Sequence, residues 1–329
     1  MKFNKKKYHQ HLYKRFRGLC LIIFLLAFCS FPLLSLTLNV ANQISYQIIA
    51  VGYLLLAFSL PLFCFRFNYY SNASDFYYAL PLDRQDLFNN SFLLGYLVAS
   101  VPISLATIIG IITEVLINNA LLLPLLLEYL NIIFFFSVIY TLVVMIIQYC
   151  NNVIDTIIST IGLINLPFIL AYLVLQYVNT ITGSITVDQG LMALLSPVYN
   201  LLYFYNISAN IFIYLIYFVV LLLALYFASK TFYQKANHNY QKITTHHFKT
   251  IIKYLLVMCA FFAASIIGKN NFNNSLLQIS FAFIISFVTY LITVYVNNRS
   301  LKFSFNILIK FILLMIVLVA FIILIPILL

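Results

Sequence analysis

Uninterrupted apolar runs, each about 20 residues long, recur from one end of this chain to the other. No other feature narrows the choice of folds so much. A helical run of that length crosses a hydrocarbon layer of about 30 Å. No water inside the layer can satisfy backbone N–H and C=O groups, so a spanning segment must be a helix or part of a closed barrel. The runs here are continuous Leu, Ile, Phe and Val, without the alternation of a barrel strand. The chain therefore reads as an all-α polytopic membrane protein. Composition agrees, because only 8% of the 329 residues are charged, against about 25% in a soluble domain.

The pattern predicts nine spans, at 19–38, 45–65, 92–112, 128–149, 154–175, 209–227, 251–267, 276–296 and 308–328. Lys and Arg favour the cytoplasmic side of short loops, so they test this segmentation independently. With the N-terminus inside, seven precede the first span, and Arg66 and Arg84 lie between the second and third. Lys230, Lys235, Lys242, Lys249 and Lys253 follow the sixth, and Arg299, Lys302 and Lys310 surround the loop before the last. Seventeen of the eighteen fall inside, and Lys269 alone falls outside. The expectation is a multi-pass plasma-membrane protein with a cytoplasmic N-terminus and an extracellular C-terminus. The net charge of +11 then matches anionic inner-leaflet lipid. Nucleic acid is not an expected partner, since no soluble basic domain is visible.

Residues 1–18 form a basic segment in which Tyr8, Leu12 and Phe16 project to one side of a helix and Lys7, Lys14 and Arg17 to the other. That pattern suits a helix lying in the membrane interface, and a basic tail that merely fixes orientation is the alternative. The segment is not read as a cleavable signal, because the apolar run after it is of full spanning length and no small-x-small site closes it. The five cysteines show no paired spacing, so neither a disulfide framework nor a metal knuckle is predicted.

Recognisable catalytic chemistry is missing. There is no phosphate-binding loop and no glycine-rich dinucleotide fingerprint, and the five histidines form no H-E-x-x-H. No catalytic residue, metal site or cofactor of this chain's own is predicted. Asp75, Asp83 and Asp86 fall between the second and third spans, and Glu114, Glu128 and Asp188 at or beyond outer span ends. Asp155 falls at an inner end. A charge at mid-membrane costs about 3 kcal/mol or more, and proton-coupled transporters accept that cost for their relay. Without such a relay, a secondary transporter or an intramembrane protease is disfavoured.

The longest polar excursion between early spans is "SNASDFYYALPLDRQDLFNN", 71–90. Ser74 can cap a short helix carrying Phe76, Tyr77, Tyr78 and Leu80 against the headgroups. Pro81 ends that turn. Asp83 can cap a second helix, with Asp86 complementing its dipole, and that helix runs on into the third span. A helix, a bend and another helix exceed what a connection requires.

The stretch "DFYYALPLDRQDLFNNSFLLGYL" resembles the cytoplasmic segment between the second and third spans of permease subunits in type-2 ABC exporters, where a Leu-Pro-x-x-Arg run leads into the next span. Here the run is Leu80, Pro81, Leu82, Asp83 and Arg84. In that family the segment holds the coupling helix that docks on a separate ATP-hydrolysing subunit. "LLSPVYNL" around Pro197 resembles the family's outer re-entrant hairpin, and the basic N-terminal segment its interfacial helix.

The resemblance implies a six-span permease core over 19–230, with a coupling segment at 66–91 and a re-entrant segment at 179–206. A basic loop at 231–250 and three additional spans in 251–329 depart from the six-span plan. It also implies that Asp75, Tyr78, Pro81, Asp83 and Arg84 meet the ATPase. ATP and Mg would be held by that partner, and the permease would pair with itself or with a similar chain. The expected cargo is a hydrophobic or amphipathic molecule, such as a peptide antibiotic, a bacteriocin or an envelope lipid. Two alternatives stand beside this reading: a lipid- or isoprenoid-modifying membrane enzyme, and a non-transporting sensor or scaffold. At residue level the plain alternative is that Arg84 snorkels to anchor the third span while the acids cap helices.

Overall fold

The computed structural model describes residues 5–30, 32, 43–69, 83–118, 121–150, 153–182, 196–203, 211–235, 241–271, 275–298 and 305–328. Within them lie ten α-helices and one 3₁₀ turn. They are α1 (Lys5–Ser30), α2 (Gln43–Cys64), the turn Arg66–Asn68, α3 (Arg84–Asn118), α4 (Leu122–Tyr149), α5 (Val153–Thr182) and α6 (Pro197–Tyr203). Then come α7 (Ile211–Lys235), α8 (Gln241–Asn271), α9 (Ser275–Asn298) and α10 (Phe305–Leu328).

Seven of these helices contain stretches long and apolar enough to cross a membrane: Gln47–Cys64, Arg84–Ile117, Leu122–Tyr149, Val153–Thr180, Ile213–Thr231, Thr250–Lys269 and Leu277–Val294. The expected first and ninth spans correspond instead to the shorter apolar stretches Phe16–Cys29 and Ile309–Ala320. The first span, expected at 19–38, belongs to a helix that starts earlier and is described from Lys5 to Ser30, and most of the expected span beyond that lies outside the described residues. Nothing between Lys5 and Ser30 breaks the helix, so the basic segment and the apolar run form one rod.

The helix expected to start after Asp83 and to run on into the third span does so, as α3 from Arg84. At 35 residues α3 spans about 52 Å at 1.5 Å per residue, longer than a hydrocarbon layer of about 30 Å. Because α3 continues to Asn118, Glu114, expected at or beyond a span end, lies in the last turns of the helix and is buried. Glu128 likewise lies within α4.

The chain divides into two compact units, one of Met1–Thr160 with Pro197–Thr244, the other of Ile161–Ser196 with Thr245–Leu329. In the first unit α4 is central: it packs against α2, α3, α6 and α7, and α1 lies along α3. Two-thirds of α4 is buried, and the rings packed on it explain why an apolar helix carries so many aromatics. Phe136 lies 4.8 Å from Tyr53 and 5.4 Å from Tyr96, and Tyr140 lies 5.3 Å from Phe92. Gly95 is where α3 comes closest: a Cβ there would overlap the Tyr140 hydroxyl and lie 2.9 Å from Cys64 Sγ.

The second unit has a core of Tyr177, Val178, Val257, Phe261, Phe262, Ala282, Tyr290, Phe311 and Met315. Lys253 Nζ lies 4.2 Å from the centre of the Tyr290 ring. Lys269, the one cation that charge sorting left outside, donates a hydrogen bond to the Thr180 carbonyl in the last turn of α5. A cation at a helix C-terminus meets the negative end of the dipole and an acceptor that the helix itself leaves unused.

Candidate functional site

The described residues on either side of the segment between α2 and α3 form two anchored stems. At the exit, the Phe65 N–H donates to the Pro61 carbonyl, and the turn Arg66–Asn68 follows. Phe65 is fully buried, and its ring lies 5.7 Å from that of Phe88 on α3. Asn68 Nδ2 donates to Gln148 Oε1 at 2.9 Å, near the end of α4. Tyr69 Oη lies 2.8 Å from Thr156 Oγ1 on α5. Burial pushes the Tyr69 phenol up, against the opposing effect of its Thr156 hydrogen bond. It therefore stays protonated through the neutral range and serves as a neutral link.

At re-entry, the Leu87 N–H donates to the Asp83 carbonyl at 3.0 Å, which starts α3 at Arg84. Asp83, Arg84 and Gln85 are exposed, whereas Leu87, Phe88 and Ser91 are buried. The first turns of α3 thus present charge outward from a fixed apolar base. These contacts also show that the end of α2, the start of α3, the end of α4 and the start of α5 gather at one end of the first unit.

Asp83 and Arg84 are the two predicted coupling residues that fall on this platform. Asp75, Tyr78 and Pro81 lie outside the described residues. On α1, Phe16 is buried, and the side chains of Tyr8 and Leu12 lie outside those described. Pro197 opens α6 at the first helical position, where its missing N–H costs nothing. This short helix packs on α4 and α2 and buries Asn200 and Leu201. Asn200 hydrogen-bonds to Tyr217 in the early turns of α7.

A second polar feature escaped the sequence reading. Tyr53 Oη and Tyr129 Oη are 3.5 Å apart, and Tyr129 donates to Ser104 Oγ at 2.5 Å, which ties α2, α4 and α3 together. Tyr96 Oη lies 2.9 Å from Ser137 Oγ, and Tyr140 donates to the Phe92 carbonyl at 3.0 Å. Tyr214 donates to Asn131 Oδ1 at 2.9 Å. Hydropathy counts these tyrosines as apolar bulk. The usable signal was the spacing of Tyr129, Ser137, Tyr140 and Thr141 along one largely apolar helix.

Such hydroxyls can hold helices in register, but they carry no charge for a relay. Among the described residues, no three His, Cys, Asp or Glu side chains gather in a way that could hold a metal ion.

No known protein family matches the chain, and neither a curated protein nor a solved structure is significantly similar to it. The class its helices define is a polytopic α-helical membrane protein.

Proposed function

We propose that this chain is the membrane-spanning permease subunit of a type-2 ABC exporter, energised by a separate ATPase subunit. The cytoplasmic ATPase would bind at the 66–91 segment, with ATP and Mg on that partner. The observation that carries the reading is the pair of anchored stems flanking the segment. Phe65, Asn68 and Tyr69 on one side, and Leu87 and Phe88 on the other, fix its ends to α3, α4 and α5 at once.

A push on a segment held in this way is transmitted to three helices rather than absorbed by a loop. Asp83 and Arg84 stand exposed where a partner would press. The seven membrane-length helices give the rest of the apparatus something to move. The Lys and Arg distribution supports a cytoplasmic location for this end. Two permease chains would form the pathway, and the substrate would be hydrophobic or amphipathic, entering between helices and leaving outward.

The test is the double substitution Asp83→Ala and Arg84→Ala, followed in membranes by nucleotide hydrolysis and by protection of cells against amphipathic peptides. The proposal predicts that the chain stays in the membrane while hydrolysis no longer supports protection. Unchanged coupling would remove these residues from the contact and the proposal's main support with them.

A further inference from the structure

A groove of about 480 Å³ runs along the first unit between α1 and α3. Cys20 and Phe24 on α1 and Leu97, Val101 and Leu105 on α3 line it, and among the described residues Arg17 is the one charged residue in its wall. We infer that this groove holds one acyl chain of a bilayer phospholipid whose anionic headgroup is bound by Arg17. The inference concerns a resident lipid rather than cargo and does not depend on the transport proposal.

Three observations select this occupant. The first is charge. Arg17 stands where α1 changes from its basic part to the apolar stretch Phe16–Cys29, and no Asp or Glu occurs in the sequence before Asp75. An exposed guanidinium at that boundary suits a phosphate oxygen, which it can bind with two parallel N–H donors.

The second is length. The α3 wall extends from Leu94 to Leu105, a rise of about 16 Å at 1.5 Å per residue. That is the depth of one leaflet of a hydrocarbon layer of about 30 Å.

The third is volume. Allowing each methylene about the ~30 Å³ share of a water molecule, the groove takes one acyl chain and not two. The rim is open as well as apolar: Leu21, Leu97 and Leu105 are each more than half exposed.

The chain contains no tryptophan, so one introduced indole reports without background when excited beyond the tyrosine band. The groove reporter is Leu97→Trp. The control is Leu222→Trp on α7, a position of similar exposure in the same unit. Each full-length variant is placed in phosphatidylcholine nanodiscs containing a minor fraction of phosphatidylglycerol brominated on its acyl chains, or the same fraction of brominated phosphatidylcholine.

The expected result is quenching of the groove reporter that corresponds to roughly fivefold local enrichment of the anionic lipid, the effect of one basic residue at an anionic surface. No enrichment is expected at the control position or with brominated phosphatidylcholine. Arg17→Gln should abolish the enrichment and Arg17→Lys should retain most of it, which separates loss of charge from loss of fold. Equal quenching by the two lipids, or enrichment that survives Arg17→Gln, would overturn the assignment. So would a groove reporter shielded from both lipids, since that would show the groove covered by a second copy or another segment of the chain.

Discussion

The two compact units are made of the same kind of apolar helix but are held together differently. In the first, buried hydroxyls and amides bridge helices: Tyr129 joins α4 to α3, Asn68 reaches Gln148, and Tyr69 reaches Thr156. In the second, Ser265 and Ser286 donate to carbonyls of their own helices, Lys269 and Cys259 on α8 reach the backbone carbonyls of Thr180 and Leu166 on α5, and the core is a stack of rings and aliphatic side chains around Phe261 and Phe311. Inside a membrane, apolar packing between helices gains little over contact with lipid, so small residues and interhelical hydrogen bonds decide register. The first unit therefore has pairs of polar side chains that specify its register, and it also bears the anchored stems. The second has the properties of a packed support.

The comparison can be broken most forcefully at glycine. Gly95→Val should destabilise the first unit by about 1–3 kcal/mol, as overpacking does, because Tyr140 is fully buried and cannot move aside. A marked fall in the thermal unfolding midpoint of the detergent-solubilised chain would register it. Next in size, Asn68→Leu or Gln148→Leu should cost about 1–2 kcal/mol each by leaving a buried amide without its partner. The double substitution should cost less than the two together, and a thermal double-mutant cycle measures the coupling.

Tyr129→Phe should cost about 0.6 kcal/mol, the average for an interhelical hydrogen bond in a membrane. It is best read by comparing midpoints with Tyr129→Ala. The smallest effect belongs to the second unit. In Gly162→Ala a new Cβ would lie 3.2–3.3 Å from the side chain of Ile252, where a shift of a few tenths of an ångström relieves the contact, and the gain in helix propensity of about 1 kcal/mol offsets that crowding. Loss of stability there equal to that of Gly95→Val would erase the contrast between the units.

Much of the architecture was legible in the sequence, because span length and apolar content follow from hydrocarbon thickness alone. The start of α3 at Arg84 was legible too, since Pro81, Asp83 and Asp86 mark a helix start locally. The start of α1 was not legible in the same way: its basic residues set it apart from the apolar run, yet one helix carries both from Lys5 onward. The stems escaped because Asn68–Gln148 and Tyr69–Thr156 are contacts across about 80 residues or more of chain. One-dimensional patterning carries no such pairing. Lys269 looked like an exception to charge sorting until its partner at the end of α5 was seen.

The most direct test of the account is to purify the tagged chain from its native membrane in mild detergent and identify what accompanies it in stoichiometric amount. The account predicts a soluble subunit with a phosphate-binding loop, retained by the wild-type chain and lost when Asp83 and Arg84 are both replaced by Ala. A chain that comes out without such a subunit, from membranes with no nucleotide-dependent activity attributable to it, would contradict the permease assignment.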